Sequence, residues 1–238
     1  MCMLRMLGAL LSIAALIGLA RADEAQVRKA MQAKYPQIAI ESIAKTPMPE
    51  VYEVYAGGQL IYTDENVNFI IVDGRMIDVK SKADLTAERM QKLTAIKFED
   101  LPLALAFKKV KGNGKHKLAY FADPNCGYCK RFEQEINGLT DATVYMFLYP
   151  ILSADSVEKS KAVWCSANRA KAWDDWMQKG VAPVAQANCT NPVDKVLEYG
   201  RKMNISATPT LIFADGSRVP GAISAERLHQ LMEAAPAK

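Results

Sequence analysis

The sequence predicts an α+β N-terminal domain made of a helix and a small antiparallel sheet, a helical linker, and a larger α/β domain with a helical insertion. Three observations predict it. Residues 38–79 hold short apolar runs separated by turn signals; residues 86–98 contain neither Gly nor Pro; beyond Phe98, strand-like and helix-like patterns alternate. The expected divisions are residues 1–22, a leader segment; 23–82, the N-terminal domain; 83–98, a linker; and 99–238, the C-terminal domain.

Residues 1–22 have a short basic start at Arg5, an apolar run from Met6 to Ala20, and Ala20-Arg21-Ala22 as an A-x-A-like cleavage site before Asp23. The run is shorter than the ~20 residues of a membrane-spanning helix. Cleavage removes Arg5 and Arg21 and no acidic residue, lowering the formal charge from +4 to +2. Such a balance gives no electrostatic argument for nucleic acid or an anionic membrane as partner. It also removes Cys2, leaving Cys126, Cys129, Cys165 and Cys189, an even set suited to an oxidising compartment.

In the mature chain, Val27, Ala30, Met31 and Lys34 follow a helical spacing that Pro36 closes. Strands are expected at Ile38–Ile43, Val51–Tyr55, Leu60–Tyr62, Phe69–Val72 and Met76–Val79, with Asp73-Gly74 as a hairpin signal between the last two. A unit of roughly 60 residues buries only a modest share of its surface, so pairing with a second copy is a natural remedy, with packing on the neighbouring domain as the alternative. Tyr52, Tyr55 and Tyr62 line an apolar cleft or belong to the core; alternation alone fits both. Thr86–Phe98 reads as uninterrupted helix.

The second domain is expected to run from a strand at His116–Ala122 into a helix at Cys126–Asn137 and a strand at Thr143–Tyr149. A long helical stretch at Ser153–Lys179, a loop bearing Pro183 and Cys189, and a helix at Val193–Met203 follow. Strands at Pro209–Ala214 and Ser217–Val219 and a helix at Ala225–Ala235 complete it. Strand, C-x-x-C helix, strand, inserted helices, strand pair and closing helix describe a thioredoxin-like domain.

Cys126-Gly-Tyr-Cys129 lies where the strand pattern gives way to the helical one. Two thiols at this spacing close a small disulfide ring, and a cysteine at a helix start feels the positive end of the macrodipole, which favours its thiolate. Cys126 is the candidate nucleophile. A C-x-x-C pair also occurs as half a zinc site, but no second pair follows, and His116 and His229 stand in no recognisable ligand pattern. As a structural staple, so short a ring removes little entropy from the unfolded chain.

Cys126-Gly-Tyr-Cys129 after a strand, Thr208-Pro209 before Thr210-Leu-Ile-Phe213, Val219-Pro-Gly221, and Val163-Trp-Cys165 with a distant Cys189 together resemble the periplasmic protein disulfide isomerases of the DsbC/DsbG group. The Gly-Tyr dipeptide is similar to that of the DsbC branch. The resemblance implies a cis Thr208-Pro209 bond beside Cys126, with Thr208, Pro209, Gly127 and Tyr128 meeting the substrate. It also implies a structural disulfide between Cys165 and Cys189, closing a loop that stabilises the fold by about 3.5 kcal/mol in the loop-entropy model.

The function implied is rearrangement of wrong disulfides in misfolded secreted proteins in the periplasm, by a homodimer with no metal or organic cofactor. A membrane thiol reductase of the DsbD type would keep it reduced. A thiol oxidase and a dimeric holdase with a secondary redox site are the rivals. One departure stands out: thioredoxin places a buried Asp six residues before its first active-site cysteine, and the matching residue here is Tyr120. Asp123, water or a lysine would then take the proton of Cys129, while Asp123 also reads as a loop-capping or solvated carboxylate. Lys130 and Arg131 add positive charge near Cys126 or form a solvated helix face.

Overall fold

A computed structural model describes residues 23–235. The expected signal peptide lies outside the described residues. Contacts divide the chain into two units, Met1–Met90 and Gln91–Lys238. No helix among the described residues is long and apolar enough to cross a membrane.

In the first unit, helix α1 (residues 23–34) buries Val27 and Met31 one turn apart. They pack on an antiparallel sheet of β1 (Ile40–Lys45), β2 (Tyr52–Ala56), β3 (Gln59–Thr63) and β4 (Ile70–Ile71), paired in that order. Tyr52, Tyr55 and Tyr62 are all buried, which assigns them to the interior.

The Asp73-Gly74 hairpin does not form. β4 is two residues long and pairs back with β3, and Met76–Val79 contributes only an isolated bridge from Ile77 to Asp84. Asp78 instead builds a tight turn, its carboxylate accepting from the backbone N–H groups of Lys80 and Ser81. The apolar run Phe69–Val72, together with Ile77 and Val79, therefore stays exposed. Helix α2 (Leu85–Thr94) ends four residues short of Phe98. Ile96 and Phe98 turn into the second unit's core, and the Ile96 N–H donates to the Gly216 carbonyl at 3.0 Å.

The second unit is built on a five-stranded sheet in the order β5-β7-β6-β8-β9. Its strands are β5 (Phe107–Lys111), β6 (His116–Ala122), β7 (Ala142–Leu148), β8 (Thr210–Phe213) and β9 (Arg218–Pro220). Only β6 and β7 run parallel, joined by helix α3 (Gly127–Gly138). Both sheet faces are covered, so the central strands are apolar at nearly every position. Leu118, Tyr120, Ala122, Val144, Met146 and Leu148 face the core containing α3; Ala119, Phe121, Tyr145 and Phe147 face the other.

The expected helix Ser153–Lys179 is two helices, α4 (Ala154–Cys165) and α5 (Arg169–Lys179). Asn168 restarts the chain as an N-cap, its side-chain oxygen accepting from the Lys171 N–H at 3.0 Å. Helices α6 (Val193–Lys202) and α7 (Ala225–Ala234) complete the unit. Gly200 is dictated by space, since a Cβ there would meet the Tyr149 ring at 2.3 Å. β5 has no counterpart among the strands expected from sequence.

Cys165, the last residue of α4, is bonded to Cys189 in the following loop, with Cα atoms 5.7 Å apart. Closing a loop over a sequence separation of 24 constrains the unfolded chain. The double replacement Cys165→Ser/Cys189→Ser is expected to lower unfolding free energy by about 2–4 kcal/mol. Chemical denaturation of the variant beside the parent measures it without a reductant that would also act on Cys126 and Cys129.

Candidate active site

The central strand β6 ends at Ala122, and Asp123-Pro-Asn125 turns the chain into α3 with Cys126 as the N-cap residue. That turn is fixed from inside. Asp123 is fully buried, and its carboxylate accepts from the Asn125 N–H (2.7 Å), the Ser156 hydroxyl (2.8 Å) and the Leu152 N–H (2.9 Å). The Pro124 carbonyl accepts from Trp176 Nε1 at 2.6 Å, and the Asn125 amide donates to Asp155 at 2.7 Å. Asp123 is thus a loop anchor, as one sequence reading had it, but a buried rather than a solvated one. Sequence reasoning missed Trp176, Ser156 and Asp155, because only the fold brings α4 and α5 beneath this turn.

Both cysteines of the C-x-x-C pair are free thiols, and their environments differ. Cys126 Sγ accepts from the Cys129 N–H at 3.3 Å and lies 3.2 Å from the Thr208 carbonyl oxygen. The Thr208 hydroxyl is buried with no hydrogen-bond partner among the described residues. Hydrogen bonding from the Cys129 thiol, opposed by burial and then supported by the Thr208 side chain and the backbone N–H groups of Cys129 and Tyr128, lowers the Cys126 thiol below its ordinary value to about 6. Burial, followed by the hydrogen bond and negative charge of Cys126, pushes the Cys129 thiol far up. At neutral pH the pair is one thiolate and one thiol.

The remaining sequence-predicted residues fall as follows. The Thr208-Pro209 bond is cis and sits beside Cys126, and Pro209 leads into β8. The Gly221 N–H, at a φ of +92° that favours glycine, donates to the Pro209 carbonyl at 2.7 Å, which accounts for Val219-Pro-Gly221. Gly127 opens α3, and Tyr128 projects outward, 61% exposed. Lys130 lies over the Trp176 ring at 4.5 Å and Arg131 over the Tyr128 ring at 4.4 Å, so both cations are engaged with aromatic faces. His116 Nδ1 pairs with the Met232 carbonyl at 2.8 Å.

Two family models match along the chain: the disulfide bond isomerase protein N-terminal domain at residues 18–87, and a thioredoxin-like domain at residues 103–236. A probable thiol:disulfide interchange protein DsbC from Bordetella avium is 41% identical over 204 residues, covering 86% of this chain and 73% of its own length. The chain belongs to the DsbC family. The DsbC of Escherichia coli K12 is 29% identical over 224 residues, covering 88% of this chain and 87% of that protein. A crystal structure of a disulfide interchange protein from Neisseria gonorrhoeae superposes with a TM-score of 0.55 at 41% identity, over 58% of this chain and 100% of that one. In this DsbC-family chain, the thioredoxin-like match covers the site just described, and the N-terminal match covers the sheet ending at β4.

Proposed function

We propose that this protein isomerises non-native disulfides of secreted proteins. The thiolate of Cys126 attacks a substrate disulfide, forming a mixed disulfide and releasing the other substrate sulfur. A second substrate thiol then resolves it without net redox change, or Cys129 displaces a stalled substrate and leaves the enzyme oxidised. Thr208 and Pro209, with Gly127 and Tyr128 opposite, receive the extended substrate chain, and the Cys165–Cys189 bond is a structural staple. The observation that carries this reading is the division of labour in one C-x-x-C pair: Cys126 held as a thiolate at a helix start, Cys129 buried as a thiol.

The remaining parts of the proposal follow from chemistry and family. Residues 23–82 form the dimerisation domain, joined through the linker at residues 83–98 to the catalytic domain at residues 99–238. The two-residue edge strand β4 and the exposed run Phe69–Val72 support pairing with a second copy, since an unpaired apolar edge is otherwise an aggregation hazard. The protein works in the periplasm after loss of residues 1–22, and a membrane thiol reductase of the DsbD type returns it to the dithiol state. Refolding of a scrambled multi-disulfide protein with a catalytic amount of reduced enzyme tests the function, with sizing run alongside. Accelerated recovery of native pairs by a dimer is expected. Faster oxidation with scrambled pairs untouched would make it an oxidase, and a monomer would remove the dimerisation claim.

A further inference from the structure

Where thioredoxin places a buried acid, this chain has Tyr120, and the geometry around it assigns this residue a role. Tyr120 lies on β6 with no exposed surface, its ring edge-on to Phe132 at 5.5 Å between centroids. Its hydroxyl donates to the Cys129 carbonyl at a long 3.3 Å, and after the Asp123 backbone N–H it is the group that draws the buried Cys129 thiol back down. Asp123, the other nearby acid, has both carboxylate oxygens occupied by donors from the active-site turn.

We propose that the Tyr120 hydroxyl stabilises the Cys129 thiolate at the moment Cys129 attacks the mixed disulfide. The proposal rests on the Cys126 mechanism above. In the resting dithiol, Cys129 is neutral and the hydroxyl's single hydrogen stays on the weakly bonded carbonyl. When Cys129 gives its proton to water, the hydrogen turns to the sulfur, because a charge-assisted bond outweighs a long neutral one. The Cys129 thiolate then attacks Cys126 Sγ. The Cys126–Cys129 bond forms, the bond to substrate breaks, and the substrate sulfur leaves with the electron pair and takes a proton from water. The enzyme dithiol is oxidised and the substrate sulfur reduced. Tyr120 keeps its own proton throughout, since burial and the neighbouring sulfur and Glu133 charges hold the phenol well above its ordinary range.

The test is Tyr120→Phe in the full chain, which keeps the ring packing and removes only the hydroxyl. Reduced enzyme is mixed with oxidised glutathione, and the Cys126 adduct is followed by acid quench and mass spectrometry. Adduct formation is expected within about twofold of the parent, and adduct decay to the internal disulfide slowed about tenfold or more, the scale of one hydrogen bond to a charged group. Decay at the parental rate overturns the proposal, and so does an equal slowing of both steps, which would mark a packing defect. If the parent forms no Cys126 adduct, the nucleophile assignment itself falls; normal formation with normal decay removes only the role of Tyr120.

Discussion

Replacing Cys126 with Ser is expected to reduce recovery of native disulfides from a scrambled substrate to the uncatalysed background. A serine hydroxyl supplies no thiolate at neutral pH, and disulfide exchange requires one. Cys129 cannot substitute, because it is fully buried and burial alone disfavours its thiolate. Cys129→Ser should behave differently: attack continues at Cys126, and covalent enzyme–substrate adducts accumulate for want of an escape. The pH dependence follows from the same asymmetry. With the Cys126 thiol lowered to about 6, about nine in ten molecules carry the thiolate at pH 7, and alkylation by iodoacetamide should fall tenfold per unit below the inflection. Linkage gives the sign for stability. The depressed Cys126 value stabilises the reduced protein fully above the unfolded thiol value of about 8.5, and that contribution disappears as pH falls through about 6. Cys129 opposes it at the alkaline end, because unfolding releases a thiol that ionises more readily than the buried one. Reduced protein should therefore gain stability between about pH 6 and 8.5 and lose it again above that. An alkylation profile for Cys126 with its midpoint near 8.5 would remove the assignment.

The parts of this design that were legible from residues alone are those with local causes. The change of period at Cys126 marks a strand meeting a helix, and β6, β7 and β8 are recognisable because burial on both faces makes them continuously apolar. What was not legible depends on partners far along the chain. β5 reads Phe-Lys-Lys-Val-Lys, with Lys109 buried and Val110 exposed, the reverse of what residue types suggest. No local signal places that lysine inward, because its counter-charges come from α3 and α5. The break between α4 and α5 lacks Gly or Pro and was hidden for that reason; only the N-cap residue Asn168 announced it. Asp73-Gly74 misled because a turn signal needs two flanking strands, and Met76–Val79 has no neighbour on which to build one. At the site, the residues that make the thiolate were visible, whereas the anchors Asp123, Ser156 and Trp176 become intelligible only once three elements meet under one turn.

Replacing Lys109 with Met is expected to cause the largest loss of stability of any single change away from the cysteines, about 3–5 kcal/mol, the scale of an uncompensated buried charge. Lys109 Nζ is 2.9 Å from Glu133 and 2.6 Å from Asp174, and Glu133 also accepts from Trp173 Nε1 at 2.6 Å. Burial works against the ammonium, but the Glu133 and Asp174 carboxylates outweigh it and hold its pKa above the ordinary value. Glu133 is fully buried, and burial lifts its carboxyl, with Lys109 and Trp173 drawing it back by one donor on each oxygen. A methionine leaves that carboxylate with the indole alone. Asp174 is one-third exposed and turns to water at little cost. The double variant Lys109→Met/Glu133→Gln keeps an acceptor for Trp173 and removes both buried charges, so it should recover most of the loss. Guanidinium unfolding followed by tryptophan fluorescence is suited to the comparison, since Trp164, Trp173 and Trp176 all lie in the second unit. Equal losses in the single and double variants would show that the volume and shape of the lysine, rather than its charge, hold β5 to α3. A near-neutral single variant would show that Glu133 takes up a proton and that the pair contributes little. Because Glu133 lies one helical turn beyond Cys129, the single variant should also change the rate of escape from mixed disulfides, while the double variant, with no unpaired charge under the helix, should leave alkylation of Cys126 as in the parent.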